Sequence, residues 1–307
     1  MEVLSTVREM QQACRALKSA RTLGLIPTMG ALHDGHLSLV HRALAECDIV
    51  AASIFVNPTQ FAPGEDYEVY PRAFDEDCAK LEAAGVALLF APSASEMYHG
   101  ATTFVEVASL GDRLDGASRP GHFRGVATIV AKLLNIVGPD RAYFGQKDAA
   151  QVAVLRAMVR DLNIPVQLIA CPIVREPDGL AMSSRNRNLS AHDRQRALIL
   201  HRALDAACEL QQSGETSAET LRSAILTTFA TDPRLRLDYA AIVDPTTLLP
   251  IPDITHGALI AVAAWLGSTR LIDNVLIDNV LLDNLSNQNP LSGELLLDSL
   301  LMEAPHA

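Results

Sequence analysis

The stretch that decides the fold is LGLIPTMGALHDGHLSLVHRALAECDIVAASIFV, residues 23–56. Its first part, LGLIPTM (23–29), is apolar enough for a short buried strand and is followed by a turn that contains glycine. After the turn, Leu37 and Leu44 fall on one helical face. DIVAASIFV (48–56) is a continuous apolar run rich in β-branched residues, which is typical of a strand buried on both faces. The order predicts a parallel β–α–β unit.

The same alternation continues through the first half of the chain. Strands that alternate with helices in this way predict an α/β fold, with a parallel sheet covered on both sides. The further helices are expected at about 4–20, 74–84, 123–138 and 147–161, and the further strands at 86–90, 141–145 and 166–171.

The pattern changes after residue 174. REPDGLAMSSRNRNLS (175–190) is polar and irregular, and the later apolar runs at 237–244 and 258–266 predict antiparallel strands of a smaller α+β unit. We therefore expect one domain over residues 1–174 and a second over 175–284. Two Ser/Thr-x-x-acid patterns predict helix starts in the second unit. These are Ser190 with Asp193 and Thr216 with Glu219.

The end of the chain has an unusual pattern. An Asp-Asn pair recurs along LIDNVLIDNVLLDN (271–284) at a spacing that matches neither the helical nor the strand period. Residues 285–307 follow as a polar linker and a short amphipathic segment. We expect a mobile terminus there, with an interaction segment as the alternative.

Composition narrows the class of protein. The chain has 307 residues, with 25 basic and 36 acidic side chains and a net charge of −11. A phosphate backbone demands a basic face, so we expect no nucleic-acid partner. The amino terminus lacks a secretory signal, and the longest near-apolar stretch (257–267) is half a membrane span. Five scattered cysteines without a CxxC spacing favour a reducing compartment. We expect a cytoplasmic protein with no membrane contact.

The first candidate site is PTMGALHDGH (27–36), at the exit of the first long strand. His33 and His36 lie where the strand turns into a helix, so both imidazoles and the helix amides can face one anion. Gly35 permits close approach of a ligand to the backbone. This arrangement suits the α-phosphate of a nucleotide. The alternative is two ordinary histidines on the surface, which the spacing disfavours.

Three further segments carry polar side chains, two of them at strand exits. FVNPTQF (55–61) offers uncharged Asn57 and Gln60, and FGQKD (144–148) offers a cation beside an acid. AMSSRN (181–186) places two hydroxyls before a guanidinium that can bind phosphate with two hydrogen bonds. An ordinary turn or linker is the alternative for each segment alone. Because ligands bind at the carboxyl ends of parallel strands, their coincidence favours one ligand site.

Together these motifs resemble the pantoate–β-alanine ligase family. The resemblance runs from PTMGALHDGH through RPGHFRGVATIVAKLLNIVGPD (119–140) to MSSRN, and resumes at LDYAAIVDP and STRLIDN. The first motif and MSSRN are similar to the HIGH and KMSKS signatures of nucleotidylyl transferases. FVNPTQF and RPGHFRGV are the more specific elements.

The resemblance implies a Rossmann-like domain with a smaller carboxyl-terminal lid, a homodimer, and an ATP-dependent reaction with Mg²⁺. In it, ATP and (R)-pantoate form pantoyl adenylate and pyrophosphate, and β-alanine then gives pantothenate and AMP. The implied catalytic residues are His36, His33 and Lys147, and the family assigns His36 as the proton donor. Electrostatic stabilisation of the phosphate by a hydrogen bond donated from the imidazole is an equally physical explanation. The implied ATP contacts are Met29, His33, His36, Gly145, Gln146, Lys147, Asp148, Val174, Met182, Ser183, Ser184 and Arg185. The implied pantoate contacts are Gln60 and Gln151, then Asn57 and Arg119, and Gln60 also lies beside β-alanine.

The chain departs from the family pattern at two positions. Gln146 stands where the family usually has Glu, and Ala150 where it usually has Gln. Neither change removes Lys147 or Gln151, so we expect activity to persist. The rival interpretations are an adenylyltransferase that keeps AMP on its product and a catalytically inactive nucleotide-binding protein. The sequence does not identify the ligands of Mg²⁺.

Overall fold

The computed structural model describes residues 1–277. A six-stranded parallel sheet forms the first part of the protein, in the order β1-β4-β3-β2-β5-β6. Because the chain proceeds outward from β2 in one direction and from β5 in the other, the topology reverses between these two neighbours. The strands are β1 Glu2–Leu4, β2 Leu23–Thr28, β3 Ile49–Ile54, β4 Leu88–Phe90, β5 Arg141–Gly145 and β6 Gln167–Cys171.

Helices cover both faces of this sheet. Adjacent β2 residues point to opposite faces: Leu25 packs into one core with α1, α6 and α7, and Ile26 packs into another with α2 and α3. Both side chains are fully buried. The helices are α1 Val7–Lys18, α2 Asp34–Glu46, α3 Phe74–Ala84, α4 Ala94–Tyr98, α5 Asp115–Ser118, α6 His122–Val137 and α7 Ala149–Asp161.

A three-stranded antiparallel sheet, in the order β7-β8-β9, forms the second part together with three helices. Its helices bury one face of the sheet in a separate apolar core. From the same sheet, Val243, Leu259 and Ala261 pack into the core of the first sheet. The elements are α8 Ala191–Arg196, α9 Ile199–Gln212, α10 Ala218–Phe229, β7 Arg236–Val243, β8 Ala258–Leu266 and β9 Thr269–Ile277.

The predicted α/β class is confirmed, with corrections at particular elements. The first helix starts at Val7, because residues 2–4 form an edge strand against β4. Ser190 caps α8 as predicted, but Ser217 rather than Thr216 caps α10. The start of the Asp-Asn repeat is regular after all, because Thr269–Ile277 pairs with β8.

The predicted boundary near residue 174 lies in the connection that follows β6. The predicted terminal segment 285–307 and the rest of the repeat lie outside the described residues. Across residues 1–277, the structure contains no helix with the length and apolarity to cross a membrane.

Candidate active site

The site forms where the topology of the first sheet reverses. Ligands in open α/β sheets bind in the crevice outside the carboxyl ends of the strands at this point. The segment after β2 carries His33 and His36, and the turn after the neighbouring β5 carries Lys147. Two motifs that are far apart in sequence therefore meet because their strands are paired.

The two histidines hold one another at the start of α2. Nδ1 of His33 caps the helix by accepting from the Gly35 N–H at 3.1 Å, and Nδ1 of His36 accepts from the His33 N–H at 3.3 Å. Their ring centroids lie 4.1 Å apart. Because both Nδ1 atoms are acceptors, each neutral ring carries its proton on Nε2. A Cβ at Gly35 would lie 2.8 Å from the His33 ring, so only glycine leaves room for this cap.

Both histidine rings are neutral at physiological pH. Burial lowers the pKa of His33 to about 4, and the nearby Lys147 charge acts in the same direction. Burial also lowers the pKa of His36 to about 3, with the His33 ring contributing. A neutral imidazole with Nε2–H is a hydrogen-bond donor without net charge. The pair can thus donate two hydrogen bonds to an anion at the positive end of α2.

The turn that leads to the histidines is fixed by α3. Asp77, only 1% exposed, accepts hydrogen bonds from the backbone N–H groups of Ala31 and Leu32, both at 2.7 Å. Gly30 and Ala31 adopt positive φ values of 83° and 52°, so the chain turns tightly there. The carboxylate satisfies amides that this turn would otherwise leave buried without partners. Asp77 was not predicted as a site residue; a lone acid on a helix gives no sequence signal.

Gln60 is held in a short 3-10 turn, Pro58–Gln60, and is almost fully buried. Its Nε2 donates to Met29 Sδ at 3.0 Å, and its Oε1 accepts from Asn57 Nδ2 at 3.0 Å. Thioether sulfur is a weak acceptor, so the Gln60 amide keeps a strong donor for a ligand. The turn packs so closely on α6 that a Cβ at Gly125 would lie 2.3 Å from the Thr59 carbonyl oxygen.

Asn57 is engaged on both ends of its amide. Its Nδ2 also donates to the Gly125 carbonyl at 3.1 Å, and its Oδ1 accepts from the Tyr98 hydroxyl at 2.7 Å and from Thr59. The side chain is 1% exposed. Through these contacts Asn57 supports the Gln60 turn, and the direct pantoate contact that the resemblance implies for it stays a prediction.

Arg119 forms a clamp on the same turn. It makes two hydrogen bonds of 2.7 Å with Glu65 and a weaker one, at 3.3 Å, with the Gln60 carbonyl. His122 Nδ1–H donates to that carbonyl at 2.8 Å, and its Nε2 accepts from Arg119 at 3.0 Å. Burial, followed by the Arg119 charge, lowers the pKa of His122 to about 4. Sequence reasoning missed Glu65 and His122, although His122 lies within the quoted RPGHFRGV.

The turn after β5 is fixed by the second sheet. Gly145 ends the strand, and Gln146–Asp148 form a 3-10 turn before α7. Asn274 of β9 donates from Nδ2 to the carbonyls of Gln146 and Lys147, at 3.0 and 2.8 Å. Gln146 Nε2 in turn donates to Asn274 Oδ1 at 3.3 Å, which a glutamate carboxylate could not do. Gln146, which stands where the family usually has Glu, therefore has a hydrogen-bond partner in Asn274.

The AMSSRN loop lies against the histidine segment. Met182 N–H donates to the Val174 carbonyl at 3.0 Å, and Met182 Cβ lies close to Gly35. The two serines of this loop, Ser183 and Ser184, have different surroundings. Ser183 lines the same cavity as Arg185, whereas Ser184 is buried, with its hydroxyl 3.3 Å from that of Tyr70.

One cavity collects six of the twelve predicted polar residues. Strand β9 bounds it through Arg270, Leu271 and Ile272. His33 and His36 are not part of its lining, but Lys147 and Asp148, which are, act electrostatically on both rings. Ala150, on α7, is buried in the core of the first sheet and does not line this cavity. The predicted residues that line the cavity are Arg119, Lys147, Asp148, Gln151, Ser183 and Arg185.

The fold and site define a class: an α/β protein with a nucleotide-type anion site at the switch point of a parallel sheet. The family model for pantoate-beta-alanine ligase matches residues 2–276. A pantothenate synthetase of Acidobacterium capsulatum is 56% identical over 289 residues, covering 90% of this chain and 97% of the relative. That of Thermotoga petrophila is 52% identical over 278 residues, covering 90% and 99%.

Solved structures agree with these relatives. The pantothenate synthetase of Thermus thermophilus superposes with a TM-score of 0.85 at 50% identity, covering 90% of this chain and 99% of that one. The pantoate-beta-alanine ligase of Francisella tularensis, complexed with beta-gamma ATP and beta-alanine, superposes with a TM-score of 0.73 at 35% identity, covering 90% and 97%. The chain belongs to the pantoate-beta-alanine ligase family.

Proposed function

We propose that this protein condenses (R)-pantoate with β-alanine at the expense of ATP, giving pantothenate, AMP and pyrophosphate. The observation that carries the proposal is the meeting of the neutral histidine pair, Lys147 and the AMSSRN loop at one switch point of a family member. A carboxylate oxygen of pantoate attacks the α-phosphorus and pyrophosphate leaves. The amine of β-alanine then attacks the acyl carbon, and AMP leaves.

The first step builds negative charge on the α-phosphate, and the site is suited to stabilise it. His33 and His36 offer two Nε2–H donors, and α2 adds the positive end of its dipole. Lys147 and Arg185 supply cations to the same cavity. We assign His36 a donated hydrogen bond rather than a transferred proton, because its pKa of about 3 keeps the ring neutral. Donors placed in advance at developing charge lower the barrier.

The uncharged amides of Gln60 and Gln151 suit the hydroxyls and carboxylate of pantoate. Gln60 is held rigidly by Asn57 and Met29, and Gln151 faces the cavity from α7. We also place β-alanine beside Gln60. The Francisella tularensis relative, complexed with beta-gamma ATP and beta-alanine, supports a shared site for nucleotide and amine. Gly145, Gln146, Val174, Met182 and Ser184 complete the proposed ATP contacts through backbone or packing.

Magnesium is expected to arrive with the triphosphate. Among residues 1–277, no cluster of three or more His, Cys, Asp or Glu side chains is placed to hold a metal ion. Asp148 is half exposed in the cavity and 3.8 Å from Lys147, so its carboxylate is available to one. Mg²⁺ is commonly held by one or two carboxylates, water and substrate phosphates, where it neutralises phosphate charge. This chemistry fits the residues present.

Three further parts of the proposal concern organisation. We propose that residues 175–284 act as a lid domain over the 1–174 domain, that the protein is a homodimer, and that it is cytoplasmic. The contacts of β9 with the β5 turn support the first part. Light scattering in solution tests the second.

The activity is tested by omitting one substrate at a time. Purified protein with ATP, Mg²⁺, pantoate and β-alanine should release AMP in equal amount to pantothenate. Pantoate without β-alanine should give at most one AMP-containing product per site, bound as the adenylate. AMP release that is independent of pantoate, or an adenylated final product, would contradict the proposal and favour an adenylyltransferase.

A further inference from the structure

Each cation that lines the cavity, across the part of the chain described, already has a carboxylate partner. A triphosphate carries about four negative charges, so such a site offers it no net positive charge unless some carboxylate withdraws. The four pairs are Arg119 with Glu65 at 2.7 Å, Arg185 with Asp66 at 2.9 Å, Arg270 with Asp115 and Lys147 with Asp148 at 3.8 Å.

Two of the four carboxylates belong to one irregular segment, residues 61–73, which connects the Gln60 turn to α3. Glu65 and Asp66 follow Gly64, whose φ of 87° marks a turn with open space around it. Their side chains are 23% and 27% exposed. The segment touches the AMSSRN loop twice, since Tyr70 also contacts Ser184.

The other two carboxylates, Asp115 and Asp148, are not placed to exchange with a phosphate in this way. Asp115 is 10% exposed, and it also accepts from the Tyr239 hydroxyl, while Arg270 bonds Asp238 as well. That cluster joins α5 to strands β7 and β9. Asp148 is too far from Lys147 for a hydrogen bond and need not move.

Arg185, the guanidinium of the AMSSRN loop, is held by Asp66 through longer hydrogen bonds than those between Arg119 and Glu65. Its Nε donates to Asp66 Oδ2 at 2.9 Å and its Nη2 to Oδ1 at 3.1 Å. A guanidinium binds carboxylate and phosphate through the same pair of N–H groups. The two N–H groups of Arg185 that bond Asp66 can therefore hold either a carboxylate or a phosphate, one at a time.

Building on the proposed function, we propose that Asp66 is an internal counter-anion that a phosphate of ATP displaces from Arg185. Displacement frees one positive charge for the nucleotide and breaks the ion pair that joins segment 61–73 to Arg185 of the AMSSRN loop. Glu65 remains on Arg119 and keeps the Gln60 carbonyl clamped. In this account, Asp66 weakens ATP binding and orients Arg185 until the nucleotide arrives.

Calorimetric titration of ATP into Asp66→Asn, with pantoate and β-alanine omitted, tests the exchange. The variant keeps the shape of the side chain and removes the competing charge. We expect ATP to bind about tenfold more tightly than to the unmodified protein, equivalent to about 1.4 kcal/mol. Glu68→Gln is the matched control, because it removes an acid from the same segment at an exposed position. It should leave ATP affinity unchanged.

The direction of the change decides the outcome. A purely supporting role for Asp66 would make ATP bind more weakly, and equal affinity would mean no competition; either result overturns the exchange. Asp66→Ser removes the carboxylate by a different side chain and must change the affinity in the same direction. Thermal melts establish that each variant is folded. If the unmodified protein binds no ATP, both the proposed function and the exchange are wrong.

Discussion

Asn274 of the second sheet donates a 2.8 Å hydrogen bond to the carbonyl of Lys147, at the active-site end of the first sheet. The side chain is 3% exposed, and its backbone N–H donates to Asp273, which is paired with Arg175. The position of a cation in the site thus depends on a strand that follows it by more than a hundred residues. The second part of the chain is therefore a support of the site.

Replacing Asn274 by alanine should therefore affect both stability and rate. It removes two donated hydrogen bonds, at about 1 kcal/mol each, so the free energy of unfolding should fall by about 2 kcal/mol. Misplacement of Lys147 should slow formation of pantoyl adenylate about tenfold. Single-turnover kinetics and denaturant unfolding measure the two effects.

Asn135→Ala is the matched control, because Asn135 is exposed and bonds only to the Ala131 carbonyl of its own helix among the hydrogen bonds described. It should leave the rate unchanged. Loss of stability in Asn274→Ala with an unchanged adenylation rate would show that the contact does not position Lys147.

His36→Ala and Lys147→Ala should each slow adenylate formation by about 10²–10³, the cost of losing a donor to transition-state charge. Rapid-quench measurement of pantoyl adenylate over a single turnover reports this step without product release. His41→Ala, at an exposed position of the same helix, is the control. Near-normal adenylation in either active-site variant would refute the role assigned to that residue.

Much of this site could be predicted from the sequence, because its motifs lie directly after apolar strands. His33 and Lys147 were found in this way, Arg185 was found from the two hydroxyls that precede it in a polar loop, and the alternation of strands and helices predicted the parallel sheet. The residues that support the site were not predicted from the sequence. Asp77 and Asn274 act on backbone groups that are distant in sequence, and a single carboxylate or amide in a helix or strand has no distinctive spacing.

Local patterns failed where pairing with another element decided the structure. Residues 271–277 follow neither regular period clearly, yet they form β9 because β8 supplies an antiparallel partner. Glu2–Leu4 is too short to be recognised alone and is a strand because β4 lies beside it. The roles of the site residues stay predictions until their variants are measured.

Gln60→Ala should weaken pantoate binding while leaving ATP affinity nearly unchanged. The turn that holds Gln60 is uncharged and offers nothing suited to a triphosphate, although its Nε2 touches Met29. Calorimetry with each ligand separately makes the comparison, with the exposed Gln167→Ala as control. Equal losses for pantoate and ATP would contradict the assignment.

The buried histidines should make the fold sensitive to acid. The pKa values of His33 and His122 fall from 6.5 to about 4, and that of His36 to about 3. The folded state therefore binds fewer protons than the unfolded state below pH 6.5. The free energy of unfolding should keep its full value above that pH and decrease as the pH falls toward 4.

Urea unfolding across pH 4–8 measures this loss of stability. His122→Gln should flatten the dependence, because it removes one of the three groups while leaving the His33 and His36 pair intact. The same pKa values predict that no titration of His33 or His36 appears in the adenylation rate between pH 6 and 8. A stability that is constant from pH 6.5 to 4 would contradict burial of neutral rings.

In the proposed reaction, the site activates a carboxylate by joining it to the α-phosphate of ATP. Pantoate labelled with ¹⁸O in its carboxylate tests this most directly, with mass spectrometry of every phosphorus product after reaction with β-alanine. Adenylation of pantoate should leave one ¹⁸O in the phosphate of AMP and none in pyrophosphate. Label in inorganic phosphate, with ADP as the other product, would mean an acyl phosphate and would contradict the account.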